Sequence, residues 1–314
     1  MAAKRACIVA AVDFRSLSDA LPGRRRALLA FAALALFAAI ATQGAGHAKR
    51  RPRPAPVARG PSTPLARSAG ARAPALYRIV GCRSRGAGAY RRGPAVRAVA
   101  IGFDDGPAAD TPAFLTMLER SRATATFFMI GNRLSSAYTP MLLRELRDGD
   151  ALGDHTFTHP DLRTSRNVRG QLLHTLATIR SLSGYAPCVF RPPYGGYSRS
   201  VVRIASSLGL ATVLWNVDPS DYAQPGRRAI ERRVVDQVRP GSIVVSHDGG
   251  GPRGQTLAAY PSIIAALRAR GYRLVTIPQL LGFRPVYVPC VHLCEGIGVT
   301  KDALPRGAIV EHAA

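Results

Sequence analysis

Acidic residues are scarce at the start of this chain. Residues 1–97 hold 2 Asp or Glu against 19 Lys or Arg, whereas residues 98–314 hold 17 against 24. Most of the formal net charge of +24 therefore lies outside the part best able to fold. The basic stretch also has almost no aromatic residues and no motif support, so its charge does not read as a folded nucleic-acid surface, and nucleic acid is not an expected partner. Long apolar runs are missing as well. The uncharged run Ala27–Ala41 has fifteen residues, short of the roughly 20 that span a membrane comfortably. Cysteine is rare, with 5 in the chain. Cys290, His292 and Cys294 lack a second ligand pair at a usable spacing, which argues against a closed structural zinc site. The single tryptophan, Trp215, lies in a strand pattern and reads as core.

What the N-terminus does contain is an export pattern. Arg24, Arg25 and Arg26 precede the apolar run, and small or polar residues follow it to Lys49. Residues 1–48 therefore read as a signal peptide or N-terminal membrane anchor, with cleavage near Ala48 favoured over retention. The rest of the chain is expected to be extracytoplasmic, secreted or anchored. Residues 49–96, dominated by Arg, Pro, Ala and Gly, read as a disordered basic linker, since so little apolar surface cannot offset the entropy of ordering. Such a linker could contact an anionic envelope or serve as a bare spacer. Cys7 would leave with a cleaved signal, and Cys82, Cys188, Cys290 and Cys294 allow three disulfide pairings in an oxidising compartment.

Past Arg97 the pattern becomes an alternation of strands and helices. Apolar runs at Val96–Phe103, Ala123–Ile130, Val189–Phe190, Ala211–Val217, Ser242–Ser246 and Arg273–Ile277 suit buried strands. Between them, Thr111-Pro112 and Thr139-Pro140 each offer an N-cap with proline at the first helical position. Leu172, Leu176, Ile179 and Leu182 form a helical stripe ending at Gly184, and Ile230, Val234 and Val238 form another. This alternation predicts an α/β fold, a parallel sheet covered by helices that closes naturally as a barrel. Asp104, Asp105, Arg191, Asp218, Asp221 and His247 all fall at the C-terminal ends of predicted strands, the rim where such folds place active sites.

The adjacent acids Asp104 and Asp105, followed by His155 and His159 four residues apart, supply the chemistry. One carboxylate can join two imidazoles on a metal while the other stays free to take a proton, and three protein ligands leave positions open for water and substrate.

In order, Phe103-Asp104-Asp105-Gly106-Pro107, His155-Thr156-Phe157-Thr158-His159-Pro160, Arg191-Pro192-Pro193-Tyr194, Asp218-Pro219-Ser220-Asp221-Tyr222 and Val245-Ser246-His247-Asp248 resemble the motifs of the polysaccharide deacetylases of carbohydrate esterase family 4, the NodB-homology enzymes. The resemblance covers Arg97 to Leu281. It implies a distorted (β/α) barrel as a single catalytic domain over residues 97–284, with residues 285–314 left as a C-terminal tail. It also implies metal-dependent hydrolysis of N-acetyl groups on an amino-sugar polysaccharide. Asp105, His155 and His159 would hold one divalent ion, with zinc expected and cobalt or another divalent metal as alternatives. Asp104 would be the general base, tethered by Arg191 through a contact that suits bidentate geometry. His247 would be the general acid, oriented by Asp221. Pro193 and Tyr194 match the oxyanion segment, Tyr194 through its backbone N–H. Tyr222 and Val245 would wall the pocket for the acetyl methyl.

Three positions depart from the family pattern. Gly102 stands where Thr is frequent, Val245 replaces a common Leu, and Tyr222 stands where Trp is usual. An exported enzyme on a basic tether is placed to meet a cell wall, so peptidoglycan is the leading substrate. Chitin-like oligosaccharides come next, and a catalytically silent glycan-binding module is the remaining alternative. A monomer is expected.

Overall fold

The computed structural model describes residues 75–86, 88–290 and 298–311. The expected signal or anchor (1–48) and most of the expected linker lie outside the described residues. Among the described residues no helix is long and apolar enough to cross a membrane.

In chain order the strands and helices are β1 (Leu76–Arg83), β2 (Ala89–Tyr90), β3 (Ala98–Gly106), α1 (Thr111–Arg120), β4 (Thr126–Met129), α2 (Thr139–Arg147), β5 (Ala151–Asp154) and α3 (Val168–Ser183). They continue with β6 (Val189–Phe190), α4 (Arg199–Ser207), β7 (Ala211–Val213), α5 (Arg227–Gln237), β8 (Ile243–His247), α6 (Gly254–Ala269), β9 (Arg273–Val275) and α7 (Ile277–Leu280). The chain then forms β10 (Arg284–Pro289), β11 (Val299–Thr300) and β12 (Ile309–Val310). The main sheet is parallel, in the order β2-β7-β6-β5-β4-β3-β8, with β9 beside the start of β3. A parallel bridge between Val217 and Val244 joins the continuation of β7 to β8. The sheet therefore curls into the distorted barrel that the alternation of elements implied.

Packing on β3 fixes the acid pair. Phe103 stacks against Phe114 of α1 at 5.0 Å, Tyr260 of α6 at 4.9 Å and Phe127 of β4 at 5.5 Å between ring centroids. Burial of each such ring stabilises the fold by about 1.5–3 kcal/mol. Because side chains alternate along a strand, anchoring Phe103 against the helices turns Gly102 and Asp104 to the inside of the curl.

Local details differ from the sequence pattern in places. Thr111 and Thr139 are the first helical residues rather than caps, and Asp110 and Tyr138 precede them without side-chain capping bonds. The hydroxyl of Thr111 donates instead to Asp248. Gly184, by contrast, ends α3 in the left-handed region at φ 70°, where a residue without Cβ is least strained.

The expected linker and tail are corrected over their described portions. β1 lies inside 49–96, and it pairs antiparallel with β10 and β11, while β12 lies parallel to β10. Strand pairing across some two hundred residues supplies the burial that neither segment has alone, with Val286 of β10 buried. A Cys82–Cys188 disulfide joins β1 to the residue preceding β6.

Candidate active site

The site is assembled from the C-terminal ends of β3, β5, β6 and β8 and from the loops that follow β5, β6 and β7. Asp104 is 3% exposed, and its Oδ1 accepts a 2.7 Å hydrogen bond from Nη1 of Arg191, itself fully buried. The contact is a single bond, not the bidentate one expected, and Nε and Nη2 of Arg191 have no partner. The guanidinium carbon lies 4.2 Å from the centroid of the Phe128 ring and 5.7 Å from that of Trp215. A Cβ at Gly102 would come within 2.5 Å of Arg191 Nη1. Glycine at the departing position is therefore what leaves room for this arginine.

Asp105, His155 and His159 converge beside it. Nε2 of His159 and of His155 lie 3.1 and 3.5 Å from Asp105 Oδ1, and one ligand atom from each residue falls within 4.8 Å of the others. Nδ1 of His155 is bonded at 2.7 Å to the carbonyl of Arg191, which leaves Nε2 as the free lone pair. Burial would raise the Asp105 carboxyl, but the two imidazoles outweigh it and hold the group well below the usual carboxylate range. Apart from these two imidazoles, its buried Oδ1 has no partner among the described residues. A carboxylate oxygen and two imidazole nitrogens so placed, with no proton required between them, fit a divalent cation.

Backbone strain gathers here. Asp105, Thr156, His159 and Tyr194 have φ of 70°, 68°, 60° and 58°, a region costing on the order of 1–3 kcal/mol for a non-glycine residue. Side-chain bonds pin the histidine loop against that cost. Asp154 Oδ1 accepts from Thr156 N at 2.7 Å, and Gln171 Oε1 accepts from Phe157 N and Thr158 N at 2.9 and 2.8 Å.

Across the site, Asp221 Oδ1 sits 2.8 Å from His247 Nδ1, and its Oδ2 accepts from the His247 backbone N–H and the Thr256 hydroxyl, each at 2.9 Å. Burial pushes the His247 pKa down, but Asp221, with more distant help from Asp104 and Asp105, outweighs it and raises the value. Nδ1 is thus engaged and Nε2 is left for the cavity.

The acid pair, both metal-cluster imidazoles and His247 face one cavity of about 730 Å³, with Arg191 and Asp221 buried behind it. Asp104, Asp105, His155, His159, Tyr194, Tyr222, Val245 and His247 line it. Pro193 is buried behind Tyr194 and does not line it. Tyr222 stands edge-on to His247 at 5.9 Å, and the Tyr194 ring meets His159 at 4.8 Å. The reading of Trp215 as core alone is corrected: the indole packs on Ala211, Val213 and their neighbours yet also walls the cavity. Arg133 and Arg253 line it too. Arg133 donates to the carbonyl of Asp105, and Arg253 donates through Nε to that of Gly249. Neither belongs to a motif, and nothing in the local sequence marks them.

With fold and site in place, the likeness to known proteins is direct. A family model described as polysaccharide deacetylase matches residues 91–213. A peptidoglycan-N-acetylglucosamine deacetylase of Bacillus cereus is 38% identical over 193 residues, 59% of this chain and 89% of that protein. A chitooligosaccharide deacetylase of Azorhizobium caulinodans is 38% identical over 194 residues, 57% of this chain and 91% of the other. The crystal structure of the Bc1960 peptidoglycan N-acetylglucosamine deacetylase superposes with a TM-score of 0.59 at 31% identity, over 62% of this chain and 92% of that one. This chain belongs to the polysaccharide deacetylase family, carbohydrate esterase family 4, whose members named here hydrolyse N-acetyl amide bonds. The same fold also carries a pseudoenzyme from Bacillus anthracis, at TM-score 0.58 and 27% identity over 62% of this chain and 69% of that one.

Proposed function

We propose that this chain is a metal-dependent N-deacetylase of an amino-sugar polysaccharide, with peptidoglycan as the leading substrate. The observation that carries the reading is the convergence of the Asp104–Arg191 pair, the Asp105–His155–His159 cluster and the Asp221–His247 pair on one cavity. A silent binding module has no need of a base, a ligand set and an oriented acid together. Asp105, His155 and His159 would hold the ion, zinc being the expected one from two nitrogen donors and one carboxylate. Bound there, the ion would supply Lewis acidity toward the acetyl carbonyl and the water.

The chain's own groups do the rest. Asp104 takes the proton of the water, oriented by its single bond from Arg191. The backbone N–H of Tyr194 donates to the oxygen that becomes negative on attack. His247, protonated with Asp221 at Nδ1, delivers a proton through Nε2 to the departing amine. Val245, Trp215 and Tyr222 provide apolar wall for the acetyl methyl, the indole supplementing the tyrosine at the departing position.

Chitooligosaccharide is the second reading, favoured by the similarity to the Azorhizobium caulinodans enzyme. Export is part of the proposal. The Ala27–Ala41 run supports it from the sequence, and the Cys82–Cys188 disulfide suits an oxidising compartment. The test is acetate release by the full chain from peptidoglycan and from chitooligosaccharides, before and after chelation and after zinc or cobalt is restored. Release lost on chelation and regained with metal is expected. Release unaffected by complete metal removal, or absent on both substrates with metal bound, would overturn the proposal.

A further inference from the structure

We infer that a cavity at the other end of β5 is a second binding site, for a polymer strand that carries repeated phosphate or carboxylate groups. Asp150 and Ala151, at the start of β5, line this cavity of about 520 Å³, whereas His155 follows the strand's far end. Four arginines line it, namely Arg85, Arg147, Arg284 and Arg306. Asp150 is the one acidic side chain among the described lining residues, and its Oδ1 is already taken by the Ala125 N–H at 2.7 Å.

The arginines are not consumed by the fold. Arg85 and Arg306 are exposed and make no hydrogen bond or ion pair among the described residues. Arg147 uses only Nε, toward Asp148 at 3.2 Å, and Arg284 only Nε, toward the Gly307 carbonyl at 2.9 Å. Four like charges around one concavity repel each other and focus a positive field into it, and an anion entering it relieves both effects. Arginine presents paired donors that match the oxygens of phosphate and carboxylate groups.

The size and walls point to more than a bare ion. Phe283, Pro285 and Tyr287 add apolar surface to the lining of the cavity, suited to the uncharged body of a repeat unit. Arg85, Arg284 and Arg306 lie outside the residues 91–213 matched by the family model. That the ligand is a polymer rests on the deacetylase reading. A strand held here has its neighbouring segments concentrated at the catalytic cavity on the same chain.

The test compares the full chain with its Arg85→Gln/Arg306→Gln variant, two residues outside the catalytic cavity and without hydrogen-bond or ion-pair partners among the described residues. Binding of poly(glycerol phosphate), polygalacturonate and neutral chitohexaose is measured at fixed ionic strength. Arginine labelling by phenylglyoxal, read by peptide mass, separates this cavity from the basic N-terminal segment. The expected result is protection of Arg85, Arg284 and Arg306 by an anionic polymer and a loss of about tenfold or more in its affinity in the variant. Protection by the phosphate polymer alone, the carboxylate polymer alone or both identifies the source of the anion. Protection confined to arginines before residue 75, equal affinity of variant and parent, or equal protection by chitohexaose would overturn the inference. Acetate release from chitooligosaccharides is expected to be unchanged in the variant. Its absence from the parent chain would sink the deacetylase reading while leaving the binding result standing.

Discussion

Arg191 reaches Asp104 through one hydrogen bond, Nη1 to Oδ1 at 2.7 Å, with both side chains buried. Arg191 thus fixes which carboxylate oxygen is engaged and leaves Oδ2 on the side of His155, 3.9 Å away. Replacing Arg191 by Lys is expected to lower kcat by about 10²-fold, because an ammonium cannot lie flat on Phe128 and still present a donor at the Nη1 position. Truncation to Met should in addition destabilise the fold by about 3–5 kcal/mol, since it leaves Asp104 buried without its charge partner. Metal content measured after dialysis should be unchanged in Arg191→Lys. A variant that lost metal along with activity would show that the Arg191 side chain also sets the backbone whose carbonyl holds His155, and does not act by positioning Asp104 alone.

Gly102 is the tightest test of that geometry. An added Cβ would lie 2.5 Å from Nη1 and 2.9 Å from Cζ of Arg191, closer than non-bonded atoms approach. Gly102→Ala should therefore displace the guanidinium, with an overpacking cost of about 1–3 kcal/mol and a fall in kcat. KM and metal occupancy should hardly move. Unfolding by urea and steady-state kinetics measure the two effects separately. Full activity in this variant would mean that Arg191 has a second productive position.

The Asp221–His247 pair makes a directional pH prediction. Asp221 raises the His247 pKa against the effect of burial, so the imidazole keeps its proton to higher pH than it would alone. Removing that charge with Asp221→Asn should lower kcat and move the alkaline limb of the kcat/KM profile to lower pH, while the acidic limb stays where it was. An alkaline limb that does not move would exclude His247 as the acid whose proton is lost there.

The outline of the site was legible because chemistry concentrates in short ordered motifs at strand ends. Strand ends put Asp104, Asp105, Arg191, Asp221 and His247 on the rim, and the spacing of two imidazoles beside an acid pair joined His155 and His159 to them. What escaped was whatever depends on distant partners. Leu76–Arg83 looks like linker because Arg, Tyr and Gly interrupt its apolar residues, and only Arg284–Pro289 some two hundred positions on makes it a strand. Ala151–Asp154 has no β-branched residue, and it pairs between β4 and β6 because those neighbours position it. Trp215 was read as core because its strand pattern is buried, yet the chain leaves the strand after Val213, and the indole reaches both core and cavity. Thr256, Gln171, Arg133 and Arg253 support catalytic groups from helices and loops, where one hydroxyl, amide or guanidinium has no spacing to betray it.

Asp150 offers a stability measurement apart from catalysis. Burial pushes its pKa up to about 7; the Ala125 N–H and Arg144 oppose the shift, and Asp148 adds to it. Below about pH 4 the carboxyl is neutral in both the folded and unfolded chain, so burying it then carries no charge penalty. Between roughly pH 4 and pH 7 the unfolded chain releases the proton while the folded chain keeps it, so the folded state binds more protons and stability falls as pH rises. Above about pH 7 both states are ionised and the loss is constant, at most roughly 4 kcal/mol for a shift of about three units. An Asp150→Asn side chain keeps the Oδ1 acceptor for Ala125 and cannot ionise. It should match the parent near pH 4 and exceed it by a few kcal/mol at pH 8 in urea unfolding. Asp248, pushed by burial to about 7 as well, titrates in both proteins and cancels in the difference. A gap between parent and variant that is the same at pH 4 and pH 8 would show that Asp150 titrates alike in the folded and unfolded chain, with the effect of burial balanced by the arginines of the cavity it lines.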